Sequence, residues 1–272
     1  MKFSFSTLGC PGWAWRDIRS CAKDIQMDGI EVRCIGNELY APDCAEFSEE
    51  KLDHTLRKLA ENGLCIPALD SNAVLAVPEK AEAAMAEAKA YIDLAQRIGT
   101  PYVRVMCVGV PDPVDCDLVL CERLYAELCE YGENRGVCPL LETNGPLSDS
   151  ALMAQLMEKI PSANKGVLWD IHHPYRYFGE SPETTYANIG GLLRHVHIKD
   201  SVMQDGKVSY RMLGKGDIPV KEIIFLLHEH DFDGFVSLEW VKKWNPELEE
   251  AGIVLPHFAR FIQRIMAQDI VK

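Results

Sequence analysis

The chain has 272 residues, 47% of them hydrophobic, and a formal net charge of −13. It is long enough to bury one large core, and its length suits one barrel of repeated strand–helix units, for which ~250 residues is typical. The acidic balance argues against a nucleic-acid or anionic-membrane partner, because phosphate recognition needs a basic surface.

Ten cysteines are present, none closer together than Cys116 and Cys121, and no CxxC occurs. Zinc-ribbon and thioredoxin-like readings therefore fail. No apolar run approaches the ~20 residues needed to span a bilayer. The opening MKFSFSTLGC reads as a strand and lacks a signal-peptide pattern. A cytoplasmic protein with reduced, packed thiols is the expectation.

In chain order, Lys2 to Leu8 reads as a first strand, followed by a turn and a helix from Trp13 to Met27. Gly29 to Arg33 is a second strand. A helix from Ser48 to Asn62 follows, with Ser48 in the N-cap position and Gly63 as its stop. Leu64 to Leu69 is strand three. An Ala-rich helix runs from Pro78 to Ile98 and is closed by Gly99. Strand four is Pro101 to Cys107, the next helix Val114 to Arg135, and strand five Val137 to Glu142. A helix from Ser148 to Ile160 leads to strand six, Gly166 to Ile171. A shorter helix around Pro182 to Gly190 precedes strand seven, Arg194 to Ile198. Asp217 is placed to cap a helix from Ile218 to about His230. Strand eight is Phe235 to Trp240, and a closing helix covers roughly His257 to Gln268.

Such alternation implies parallel strands. Eight strands alternating with eight helices predict an α/β fold of one domain over residues 1–272, a closed (β/α)8 TIM barrel. No linker, low-complexity segment or further repeat interrupts it.

Four strands end alike. VCPLLETN, GVLWDIHHP, RHVHIKD and FVSLEW are apolar until they deliver Glu142, Asp170, His197 and Glu239. Each of these alone reads equally well as a cap or an ion-pair member. Four at consecutive strand ends, on one rim of a barrel, can converge. Side-chain alternation supports this. Trp169, Ile171, Val196, Ile198, Leu238 and Trp240 flank the polar residues and suit the helix-facing side, which turns the polar residues inward. The same parity turns His195 and Lys199 inward with His197, Glu31 with Arg33, and Arg104 with Tyr102 and Met106.

Three carboxylates and an imidazole gathered in a dry mouth require a cation, since like charges at close range force proton uptake. One divalent ion, Mn2+, Mg2+, Co2+ or Zn2+, suits this donor set. Around it, His173, Lys199, Arg104 and Trp13 are candidate substrate-binding residues. Trp15 and Trp244 are further candidate walls. His195 reads as a buried, hydrogen-bonded support, and Glu31 with Arg33 as an inward ion pair. Lys199 has Asp200 as an alternative partner. Gly214 to Gly216, GKG, reads as a turn before a helix rather than a phosphate site.

LLETN, WDIHHP, HVHIKD, LGKGDIP and GFVSLEW, in this order, resemble the xylose isomerase-like TIM barrel superfamily, of the sugar phosphate isomerase/epimerase type. The resemblance spans nearly the full length and is weakest in the first 100 residues. It implies metal ligation by Glu142, Asp170, His197 and Glu239, acid/base catalysis by Glu142 and Glu239, and a site role for His173. The implied reaction is proton transfer next to a carbonyl through a metal-stabilised enediolate, on a small polyhydroxylated carbonyl substrate. Ketohexose 3-epimerases carry an arginine shortly after the strand-seven histidine; here none occurs before Arg211. The Lys199-Asp200 pair resembles inosose dehydratases, so a lyase is the alternative. Endonuclease IV needs extra early histidines, and His54 alone precedes His172. The oligomeric state is left open, a homo-oligomer included.

Overall fold

The computed structural model describes residues 1–269. Eight parallel strands form the barrel: β1 (Lys2–Ser6), β2 (Gly29–Glu31), β3 (Ala68–Val74), β4 (Tyr102–Met106), β5 (Cys138–Glu142), β6 (Gly166–Asp170), β7 (Leu193–Ile198) and β10 (Phe235–Leu238). The hairpin β8 (Asp200–Gln204) and β9 (Lys207–Arg211) stands outside that sheet. Seven strand–strand contacts are continuous, and the eighth, between β2 and β3, closes through the bridges Gly29–Cys65 and Val32–Leu69. The Asp70 amide donates to the Val32 carbonyl there. The expected (β/α)8 barrel is the fold.

Around it lie α1 (Trp15–Asp24), α2 (Leu52–Glu61), α3 (Ala81–Ile98), α4 (Leu118–Glu133), α5 (Ser150–Lys159), α6 (His172–Phe178), α7 (Pro182–Ile189), α8 (Val220–Glu229) and α9 (Ala251–Asp269). Their apolar faces cover the outward residues of the strands. Trp169 and Trp240 are buried this way, beside Asp170 and Glu239. Replacing either with Ala would cost about 3–5 kcal/mol through the cavity left behind. In α3 the small side chains Ala84, Ala88 and Ala95 let the helix lie close to the sheet, and Gly99, at φ 74°, ends it in the left-handed region. No helix among the described residues is long and apolar enough to cross a membrane.

Several local expectations are corrected. Strand three runs further than expected, to Val74, which puts Asp70 inside the barrel. Ser48 does not cap α2: Lys51 precedes its first turn, and no side chain caps it. Nor does Asp217 cap α8; its carboxylate pairs with Arg176 instead. The segment after β7, to which no element was assigned, forms the β8–β9 hairpin. HHPYRYF likewise forms the short helix α6.

Candidate metal centre

At the carboxyl-terminal mouth of the barrel, Glu142 ends β5, Asp170 ends β6, His197 lies in β7, and Glu239 follows β10. Asp170 and His197 are paired across β6 and β7, and His197 faces Ser237 in β10. The chosen ligand atoms of these four residues all lie within 4.8 Å of one another, and all four residues are buried. His197 Nδ1 stands 3.5 Å from Glu142 Oε1 and 3.6 Å from Glu239 Oε1, and it has no hydrogen-bond partner. An unpartnered imidazole nitrogen bracketed by two carboxylates fits a shared divalent cation, and oxygen donors plus one nitrogen suit Mn2+, Mg2+, Co2+ or Zn2+.

Residues deeper in the barrel fix this ring. Glu31 lies 2.9 Å from His197 Nε2, leaving Nδ1 as the nitrogen turned to the carboxylates. His195 Nε2 donates a hydrogen bond to Glu31. Burial alone would raise the Glu31 carboxyl, but the His197 and His195 rings hold it well below the usual carboxylate range. The expected Glu31–Arg33 ion pair does not form. His195, one layer down, is the support that parity suggested. Thr143 Oγ1 accepts from the Asp170 amide, and the Asp170 carboxylate accepts from the His172 amide.

Two protein cations share the ring. Arg104 donates to Glu142 at 3.1 Å and stands 3.9 Å from both Glu239 and Asp70. Lys199 Nζ bridges Asp170 and Glu239; Asp200 is not its partner. Burial works against ionisation of Glu142, yet Arg104 and His197 hold its carboxyl far below the ordinary range. Glu239 is lowered likewise, by Lys199 and His197 against burial. Burial would depress Lys199, but Asp170 and Glu239 raise it well above the normal lysine value. The carboxylates are thus kept charged by resident cations as well as by any ion they hold.

His173 Nδ1 lies 2.8 Å from the Thr143 carbonyl, which only accepts, so the proton is on Nδ1 and Nε2 faces Asp170 at 3.5 Å. His172 turns away: its Nε2 hydrogen-bonds with Ser201 Oγ at 2.9 Å, and its ring lies against Tyr210 of β9. Trp13 sits half-buried in the loop after β1, with backbone bonds to Cys10 and Gly36 and no polar contact with the ring. Trp15 belongs to the core, edge-on to Phe47. Trp244 stacks over Arg33 at 5.6 Å. Gly214 and Gly216 donate their amides to Asp200, and a Cβ on Gly216 would stand 2.0 Å from that carboxylate. GKG is a turn wrapped on an acid, not a phosphate cradle. Arg211 bonds Ser209, Tyr210 and Gln204 of its own hairpin.

Asp70 lies one residue past Leu69, the expected end of strand three, and no local pattern marks it as inward. Burial and the nearby Glu31 push its carboxyl well above the usual range. A groove of about 670 Å3 between α1 and α2, lined by Trp15, Arg19, Lys51 and His54 among others, shares no residue with this ring.

A profile of the family described as xylose isomerase-like TIM barrel matches residues 20–256. Fructoselysine 3-epimerase of Escherichia coli O157:H7 is 29% identical over 134 residues, 47% of each chain, so this chain spans about half the length of that relative. The probable 3-DHS dehydratase AsbF of Bacillus anthracis superposes with a TM-score of 0.79 at 18% identity, covering 97% of this chain and 99% of its own. IolI protein, solved with a bound zinc atom, gives 0.77 at 18% identity over 98% and 99%. At that identity the two structures show the fold alone.

Proposed function

Because the chain belongs to the xylose isomerase-like TIM barrel family, we propose that it is a divalent-metal-dependent isomerase or epimerase of a small polyhydroxylated ketone or aldehyde. The observation that carries this reading is the pair Glu142 and Glu239, whose ionised, buried carboxylates stand 3.5 Å and 3.6 Å from His197 Nδ1. Glu142, Asp170, His197 and Glu239 would hold the ion. When bound, it supplies Lewis-acid polarisation of the substrate carbonyl.

The rest belongs to the chain. One glutamate takes the proton from the carbon beside the carbonyl, and the other returns a proton. Their ionised state lets either serve as base, each for about 10²–10⁴-fold in rate. Arg104 keeps Glu142 aimed and charged. Lys199 donates to a substrate oxygen when it leaves Asp170 and Glu239, and His173 offers Nε2 to a neighbouring hydroxyl. The buried Glu31–His195 pair keeps His197 turned the right way.

A lyase is the second reading, favoured by Lys199 in the mouth and by Arg211 being held in its own hairpin. There the Lys199 ammonium would protonate a departing hydroxide.

Proton NMR in D2O with Mn2+-loaded protein and a panel of ketoses, aldoses, their phosphates and inososes tests both. Deuterium entering beside a carbonyl, together with an isomer, supports the isomerase. Hydroxyl loss with a new enol or diketone signal supports the lyase. Glu142→Gln and Glu239→Gln are each expected to slow exchange by about 10²–10⁴-fold. Intact turnover in both variants would overturn the reading.

A further inference from the structure

Arg33 lies two residues beyond Glu31, just past the end of β2, and is 3% exposed. Its guanidinium donates to Asn72 Oδ1 and reaches the Leu39 carbonyl at 3.4 Å. Trp244, half exposed on the loop after β10, covers it at 5.6 Å. Among the described residues, no carboxylate comes within 4.0 Å of this charge. Burial lowers the Arg33 affinity for its proton, and the neighbouring Arg104 lowers it further, against a smaller pull from Asp70.

Two acids of the same wall are committed elsewhere. Glu87 accepts the Asn72 amide at 2.5 Å. Asp70 is driven towards its protonated form by burial and Glu31. Lys243, half-buried on the Trp244 loop with its amide on the Leu8 carbonyl, has no carboxylate within ion-pair distance among the described residues, and its charge is felt at Cys34, next to Arg33. The ring at the centre of the mouth carries carboxylates with matched cations; in this corner, among the described residues, Asp70 acts on Arg33 only from beyond ion-pair distance.

A buried charge is costly unless it is paired. The planar guanidinium fork matches a carboxylate or phosphate with two hydrogen bonds, and the two neutral acceptors that Arg33 now holds leave its charge uncompensated. We infer that Arg33, with Lys243 and under Trp244, is an anion-binding corner of the mouth, and that the substrate is a polyhydroxylated carbonyl compound bearing a carboxylate or phosphate away from its carbonyl. This rests on the isomerase reading, with the reacting carbon at Glu142 and Glu239. Arg104 touches Glu142 at one end and repels Arg33 at the other.

The test uses three ligands that differ only at C6: D-fructose, D-fructose 6-phosphate and D-fructuronate. Affinity is read by calorimetry and tryptophan fluorescence, and proton exchange by NMR, on Mn2+-loaded protein. At least one anionic ligand is expected to bind about tenfold or more tighter than fructose, and which one it is separates phosphate from carboxylate. Arg33→Met should remove most of that preference and Arg33→Lys should keep part of it. Lys243→Met, on a less buried side chain, should lower it about two- to fivefold.

Equal affinity for all three ligands in the unaltered protein would overturn the inference. So would an Arg33→Met loss that is the same for each ligand, with Lys243→Met silent. Preference for an anion without proton exchange would keep the corner and sink the isomerase. Exchange of fructose with no preference would do the reverse.

Discussion

Glu142, Asp170, His197 and Glu239 come from β5, β6, β7 and the end of β10, whereas many of the side chains that hold them come from β2, β3 and β4. The carboxyl-terminal half of the barrel presents donors at strand ends. The amino-terminal half presents Glu31 against His197, Arg104 against Glu142, and Asp70 beside Arg104. Donors advertise themselves, because a polar residue closing an apolar strand is conspicuous. Supports do not, since a buried Arg or Asp within a strand gains its meaning only from what stands across the barrel.

Removing the support that touches most of the ring has the largest expected effect. Arg104→Met leaves Glu142, Asp70 and Glu239 without their shared cation. A loss of about 3–5 kcal/mol is expected, as for any buried pair deprived of one partner. It would be read as a lower urea midpoint at unchanged slope, and a midpoint within error of the unaltered protein would show that Lys199 alone holds the ring.

Glu31→Gln has a smaller expected effect. The amide keeps the shape but loses the charge that orients His197 through Nε2. Mn2+ affinity by calorimetry is expected to fall about 10–100-fold, the usual range for a support behind a metal-binding histidine. Unchanged affinity would mean that the strand alone orients the ring.

The smallest expected effect is on His172, which ties α6 to the hairpin outside the ring. Burial, with Lys199 and His173 nearby, pushes its imidazole well below the ordinary value. The unfolded chain therefore binds an extra proton below the unfolded pKa near 6.5, and stability falls as pH drops through that value. His172→Asn should make the loss of Tm between pH 7.5 and pH 5.5 smaller, by about 2–4 °C per kcal/mol removed. An identical acid-induced loss would assign the pH dependence to other groups.

Much of the barrel was legible because its signals are local. Period-two strands, amphipathic helices and stops such as Gly99 are each read within a dozen residues. The inward turn of Glu142, Asp170, His197 and Glu239 followed from parity, which one strand shows by itself. The misses are of a different kind. Asp70 lay one residue past an apparent strand end, and the turn-like KDSVMQDGK gave little hint of a hairpin held by Asp200 and by His172 against Tyr210. Trp15 and Trp244 looked alike in sequence; one packs on Phe47 in the core, the other covers Arg33.

The sequence by itself determined the eightfold alternation and the rim on which four donors gather, since strand period and strand end are properties of short segments. Tertiary structure decided the rest: Lys199 pairs with Asp170 and Glu239 rather than Asp200, Glu31 with histidines rather than Arg33, and Arg33 with no acid among the described residues. These pairings join strands far apart in the chain. Which side chains meet is set by the register between strands when the sheet closes, and no local pattern encodes that register.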